Sequence, residues 1–233
     1  MKLAKRTIKE QRIIDAAEEI FALHGFRNTR MDEIAKSASI TKVTLYAYFQ
    51  SKENLHMAIT YRAFQLLTNK YYEAIDATKS KTGLDSSMAI TKAYIEFCEG
   101  NALYADCMLE YLSIMRVTLQ GKDTSKMTEA LVESTYFKKC QDIQQLPTRL
   151  SIKELERGQK DGSIINTSSP LMISLKAWML LTGFAKIISI SRDGSIPMYN
   201  MSLEALKTEV IQTARFFLVH NAGEADQNLS FSE

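Results

Sequence analysis

The sequence predicts an all-α protein of about nine helices, on three observations. Residues that break chains are scarce: 3 Pro and 9 Gly in 233 residues, against the many turns a sheet fold needs. Apolar residues recur three and four apart over long stretches, as at Ile13, Ala16, Ala17, Ile20 and Phe21, which is the stripe of an amphipathic helix. Helix-start chemistry also recurs, most plainly where Ser169 is followed by Pro170, an N-cap and a first-turn proline. The chain is 45% hydrophobic and 24% charged, an ordinary soluble composition. Its length leaves room for two domains.

Residues 7–24 form the first predicted helix, with His24 closing its apolar face and Gly25 placed where a helix end needs positive φ. Thr29 opens a second, short pattern through Met31, Ile34, Ala35 and Ala38, with Asp32 three residues on as in a capping box. After the connection Ala38, Ser39, Ile40 comes a third helix over 41–49, capped by Thr41 and burying Leu45 and Phe49. Ser51 caps a long fourth helix running toward Ala77. A polar stretch over 78–85 reads as a loop. Further helices are expected at about 86–100, 102–119, 125–145 and 148–160, with Pro147 either separating or kinking the last two. The helix opened by Ser169 and Pro170 runs to about 191, a loop follows to Asn200, and a final helix spans 203–220. The tail from Gly223 is expected to fray.

Several function classes are disfavoured. Cys98, Cys107 and Cys140 are odd in number and lack C-x-x-C spacing, so neither a disulfide framework nor a zinc site is expected. His24, His56 and His220 are far apart, and no H-E-x-x-H, G-x-S-x-G or phosphate-binding glycine loop occurs. No catalytic residue, metal or cofactor is therefore assigned. The N-terminus lacks the apolar run of a signal peptide. Residues 171–190 are long and apolar enough to raise the question of a membrane span. Lys176 and Lys186 favour a buried helix instead. No membrane partner and a cytoplasmic location are the expectation.

Net charge is +2, but residues 1–50 carry nine Lys and Arg against six Asp and Glu, a net of +3, leaving the remainder at −1. A basic end can mark a nucleic-acid footprint. Two short helices joined by a three- or four-residue turn over 29–49 fit a helix-turn-helix. Its second helix would present Thr41, Lys42, Thr44, Tyr46, Ala47 and Tyr48 to a major groove. Ala47 is suited to a thymine methyl and Lys52 to a phosphate. Tyr46 is open to a second assignment, packed in the three-helix core with only Tyr48 exposed.

At these residues the chain resembles a known family. The stretch 13–55 includes Ile14, Ala16, Ala17, Phe21 and Gly25. It continues with Asp32, Glu33, Ile34 and Ala35, then Thr44, Leu45, Tyr46, Tyr48 and Phe49, and finally Lys52, Glu53, Asn54 and Leu55. It looks like the DNA-binding domain of the TetR family of transcription regulators. The resemblance implies DNA contacts at Thr41, Lys42, Val43, Thr44, Tyr46, Ala47, Tyr48 and Lys52, with Thr29 or Arg30 adding another. The chain departs from the family pattern in having Ser39 where a turn glycine is common, Val43 where glycine often follows the recognition-helix lysine, and Arg30 in place of threonine. The operator sequence therefore cannot be carried over.

The resemblance also implies a division into a DNA-binding domain at 1–52, an effector-binding and dimerisation domain at 53–222, and a flexible tail at 223–233. It implies a ligand-responsive repressor that binds a palindromic operator as a homodimer. The body holds nine of the 11 Met and many aromatics, side chains that suit an adaptable apolar pocket as well as a plain core. Phe97, Met108, Tyr111, Met115, Phe137 and Trp178 are the pocket candidates, for an apolar or amphipathic small molecule. The last two helices would pair across a two-fold axis through Leu171, Leu175, Met179, Leu203, Leu206, Val210, Ala214 and Phe217. A helix apolar on nearly all sides needs burial on more than one face. The competing reading is a DNA-binding protein without an effector, working with a protein partner or in chromosome organisation.

Overall fold

The structure, a computed structural model, describes residues 2–191, 195–196 and 201–221. Among these the chain is almost wholly helical, with one two-residue antiparallel pair, Ser195–Ile196 against Met201–Ser202. The predicted tail from Gly223 and most of the predicted loop before Asn200 lie outside the described residues.

Two compact units emerge: residues 1–65 with 103–144, and 66–102 with 145–233. The first unit starts with α1 (Lys2–Asn28), in which Gly25 takes φ +74° and turns the chain. α2 (Met31–Ser37), α3 (Lys42–Tyr48) and the start of α4 (Lys52–Ala77) follow. Their shared core is Ile13, Ala17, Phe21, Ile34, Leu45, Phe49, Leu55 and Ile59, all nearly inaccessible. His24 is exposed, because the α1 face leaves the core one turn before Gly25. The cap of α2 also differs from expectation. Thr29 donates its hydroxyl to the Gly25 carbonyl at 2.9 Å, so Arg30 becomes the N-cap and its backbone N–H donates to the Glu33 carboxylate at 2.9 Å.

The turn between α2 and α3 is a Schellman motif. Ile40 N donates to the Ala35 carbonyl and Ser39 N to that of Lys36, both at 3.0 Å. This closure requires a left-handed residue after the cap, and Ser39 supplies it with φ +52°. Thr41 then caps α3, accepting from Thr44 N at 3.2 Å.

α6 (Ala102–Val117) and α8 (Thr135–Ile143) complete this unit. The single helix expected over 125–145 is broken into a 3-10 turn at Thr124–Lys126, one α turn, α7 (Glu129–Val132), and α8. Leu119, Gln120 and Gly121 all have positive φ, which ends α6, and Ser134 starts α8 by accepting from Phe137 N.

In the second unit, α5 (Gly83–Gly100) packs on α9 (Leu146–Lys160), α10 (Pro170–Ile190) and α11 (Leu203–Val219). Pro147 lies in the first turn of α9, where its missing N–H costs nothing, so it opens a helix rather than kinking one. Gly83 and Gly158 let α5 and α9 touch through their backbones. A Cβ on Gly83 would collide with the Gly158 main chain. Asp161 ties the crossing together by accepting from Gly83 N at 2.7 Å.

Candidate nucleic-acid interface

α3 has two faces. Leu45 is wholly buried, with Phe49 just beyond the helix end, while Val43 is 82% and Tyr46 40% exposed. Thr41, Lys42 and Ala47 are also exposed and Thr44 partly so. Tyr48 rests partly against the core, with the Arg6 guanidinium 5.8 Å from its ring centroid. The exposed face thus holds hydroxyls, one ammonium and two small apolar groups, a set able to donate to phosphates and to touch base edges. Of the two tyrosines, Tyr46 is the more open one, the reverse of the core assignment that the sequence allows.

Charge around α3 is partly cancelled. Lys42 Nζ lies 2.8 Å from Asp32, and Arg30 lies 4.0 Å from the same carboxylate. The Lys42 hydrogen bond holds Asp32 below the usual carboxylate range. Thr29 is buried, so of the two candidates ahead of α2 it is Arg30 that offers a surface.

Lys52 has a structural task. Its ammonium donates to the carbonyls of Arg27 at 3.2 Å and Thr29 at 3.0 Å and lies 4.6 Å from the centre of the Phe26 ring. The first turn of α4 is thereby fastened to the α1–α2 corner. Sequence pattern gives no sign of this, because the partners are backbone atoms more than twenty residues away. His56, one turn further, is packed against Phe26, with ring centroids 4.9 Å apart. Burial depresses its pKa to about 4.

The pocket candidates do not form one group. Tyr111, Met115 and Phe137 pack together with Met57 and Phe64 of α4, and Met108 lies at the edge of that cluster. The Tyr111 hydroxyl is buried and has no hydrogen-bond partner among the described residues. Phe97 is buried in the second unit, and Trp178 is 42% exposed on α10.

α10 is long and apolar enough to cross a membrane by length and composition alone, with a mean hydropathy of 1.6 over residues 170–189. Contrary to a wholly buried helix, it covers only one face within its own chain, through Ile173, Leu181 and Phe184. The opposite face exposes Leu171, Met172, Leu175, Trp178 and Met179. On α11, Leu203, Leu206 and Phe217 are half-buried. Val210 and Ala214 are instead buried in their own chain, so they offer nothing to a second copy, whereas Phe216 is exposed. No cluster of three or more His, Cys, Asp or Glu side chains able to hold a metal occurs among the described residues.

Comparison with known proteins gives this geometry a context. Residues 13–59 match the family model of bacterial regulatory proteins of the tetR family. An uncharacterized HTH-type transcriptional regulator of Mycobacterium tuberculosis is 43% identical over 60 residues, 25% of this chain and 30% of that protein. The HTH-type transcriptional activator FasR of Mycolicibacterium smegmatis is 30% identical over 133 residues, 56% of this chain and 58% of that one. The chain therefore matches less than two thirds of either relative's length. Among solved structures, the transcriptional regulator FadR of Bacillus subtilis in complex with stearoyl-CoA superposes with a TM-score of 0.62 at 17% identity, covering 90% of this chain and 99% of that one. The ketosteroid regulator KstR2 of Mycobacterium tuberculosis superposes with a TM-score of 0.60 at 15% identity, covering 91% and 95%. At such identities the superposition establishes the fold, and the segment 13–59 carries the kinship. Residues 13–59 thus carry a DNA-binding segment of the kind found in bacterial regulatory proteins of the tetR family, and the chain shares the fold of solved tetR-family regulators.

Proposed function

We propose that this protein is a ligand-responsive transcriptional regulator, most simply a repressor, that binds a palindromic operator as a homodimer. The observation that carries the reading is the solvent-facing side of α3: Thr41, Lys42, Val43, Thr44, Tyr46 and Ala47 lie on a helix whose opposite side is locked into a three-helix core. Arg30 and Tyr48 border that face. The functional division we assign is a reader at 1–52 and a sensor and dimerisation body at 53–222, in a cytoplasmic protein.

Dimerisation is supported by the uncovered side of α10, where Leu171, Leu175, Trp178 and Met179 form an apolar surface, larger than the scattered apolar side chains normal for a monomer. A two-fold pair matches half-sites spaced by about one helical turn or a multiple of it. FadR was solved with stearoyl-CoA, which supports an amphipathic effector class. FasR, by contrast, is named an activator.

Effector binding is assigned to the cluster of Tyr111, Met115 and Phe137. A ligand there would press on Met57 and Phe64 of α4 and give the buried Tyr111 hydroxyl a partner. α4 would carry the shift to α2 and α3 through Lys52. Allosteric coupling of this kind amounts to about 1–3 kcal/mol, and it arises only if the ligand binds one arrangement better than the other. The test is to titrate acyl-CoA and steroid ligands against the protein bound to its selected duplex. Release of DNA in step with ligand binding supports the reading. Ligands that bind and leave duplex affinity unchanged remove it.

A further inference from the structure

The positive charge of the N-terminal region is not in the helix-turn-helix. Residues 1–12 hold five Lys and Arg against one Glu, a net of +4, whereas residues 13–50 hold four against five, a net of −1. On α2 and α3, Asp32 already engages both Lys42 and Arg30. A duplex binder draws its affinity largely from neutralising phosphates, and the recognition helix by itself is poorly supplied for that.

The first turns of α1 are placed to supply it. Arg6 and Lys9 fall three and four residues apart in register with Ile13, Ala16 and Ile20, the face by which α1 packs into the core shared with α3. Ahead of Ile13 that face has run past the core, and Arg6 and Lys9 are exposed on it. The Arg6 guanidinium lies over the Tyr48 ring at 5.8 Å, within cation–π range, which fixes the end of α1 beside the end of α3. The lone acid of this segment is engaged elsewhere: Glu10 accepts from the Tyr136 hydroxyl at 2.8 Å.

We infer that Arg6 and Lys9, on the first turns of α1, form a second strip that grips the sugar–phosphate backbone alongside the base pairs faced by α3. The inference rests on the DNA-binding reading above and adds residues that lie before the segment matching the family model. Arg6 serves twice, on the duplex and as a spacer against Tyr48, while Lys9 contributes charge alone.

The test is equilibrium binding of the full chain to a mixed-sequence duplex and to one selected from a genomic pool, over a salt series. The parent, K9A and the R6A–K9A double variant are compared. Alanine is the strongest helix former, so α1 keeps its helix, and a thermal melt confirms it. The slope of log K against log salt should become shallower by about 0.9 for each phosphate that is no longer neutralised, in two steps, on both duplexes. Slopes equal to the parent's in both variants, with K42A still weakening binding, would overturn the inference and leave the DNA-binding reading intact. A parent chain that binds neither duplex at low salt would remove both.

Discussion

Lys52 donates from its ammonium to the main-chain carbonyl of Thr29 at 3.0 Å, joining the first turn of α4 to the corner between α1 and α2. A cation at the end of α1 suits the negative pole of that helix. The consequence is mechanical: the start of α4 is coupled to the corner that leads into the helix-turn-helix.

Replacing Lys52 by Met keeps the apolar stem and removes the donor. Hydrogen bonds from charged groups are worth about 1.5–3 kcal/mol, and the site is partly open, so a loss of about 1–2 kcal/mol in urea unfolding is expected. The same variant should show a smaller ratio between duplex affinities with and without effector. Unfolding at the parent's midpoint would mean the brace is idle.

Ser39 holds a left-handed backbone, φ +52°, at a cost of about 1 kcal/mol for a residue with a Cβ. S39G should therefore raise stability by about 0.5–1 kcal/mol, less than the full strain because glycine is also freer in the unfolded chain. Thermal and urea midpoints measure this directly.

Burial holds His56 neutral, with a pKa of about 4 against an ordinary 6.5, while Glu53 pulls weakly the other way. The unfolded chain takes up this proton first. The stability it confers is therefore complete above pH 6.5 and drains away as pH falls toward 4, by about 3 kcal/mol in all. Glu18, whose burial raises its pKa, works in the opposite sense. H56F isolates the histidine: its urea midpoint between pH 6.5 and 5 should be flatter than the parent's. Parallel profiles would refute the assignment.

The α5–α9 crossing depends on two glycines. G83A would push a methyl into the Gly158 main chain, and backbone cannot yield as a side chain does. A loss of about 2–3 kcal/mol is expected, at the upper end of overpacking costs, read by calorimetry.

Met179 is 62% exposed on the apolar side of α10. M179D should leave the monomer folded and shift sedimentation toward it, with operator affinity falling by an order of magnitude or more. A variant that stays dimeric would place the interface elsewhere.

Local chemistry makes much of the helix-turn-helix legible. The spacing of Ile34, Leu45 and Phe49, the Gly25 turn and the Thr41 cap all follow from side chains close together in sequence. What stays hidden involves partners far apart. One local feature is hidden as well: the α2 cap moves to Arg30 because the Thr29 hydroxyl donates to the Gly25 carbonyl four residues earlier. The packing of α1 on α6 and α8 rests on Tyr104 donating to Glu18 and Tyr136 to Glu10, pairs separated by 86 and 126 residues. Residue type alone marks the pocket candidates, and it cannot tell that Phe97 is buried in one unit and Tyr111 in the other. Periodicity likewise marks α10 as apolar all round without showing which side its own chain covers. Dividing the charge at residue 50 hides the sharper division at residue 12.

Sequence-selective DNA binding through α3 can be measured by recovering the duplexes that the full chain retains from a genomic pool, then determining their affinity for the parent and for Y46A over a salt series. The expected result is a common palindromic sequence, binding that weakens steeply with salt, and a Y46A variant that loses selectivity between this sequence and mixed DNA. Retention of no common sequence, or selectivity unchanged in Y46A, would contradict it.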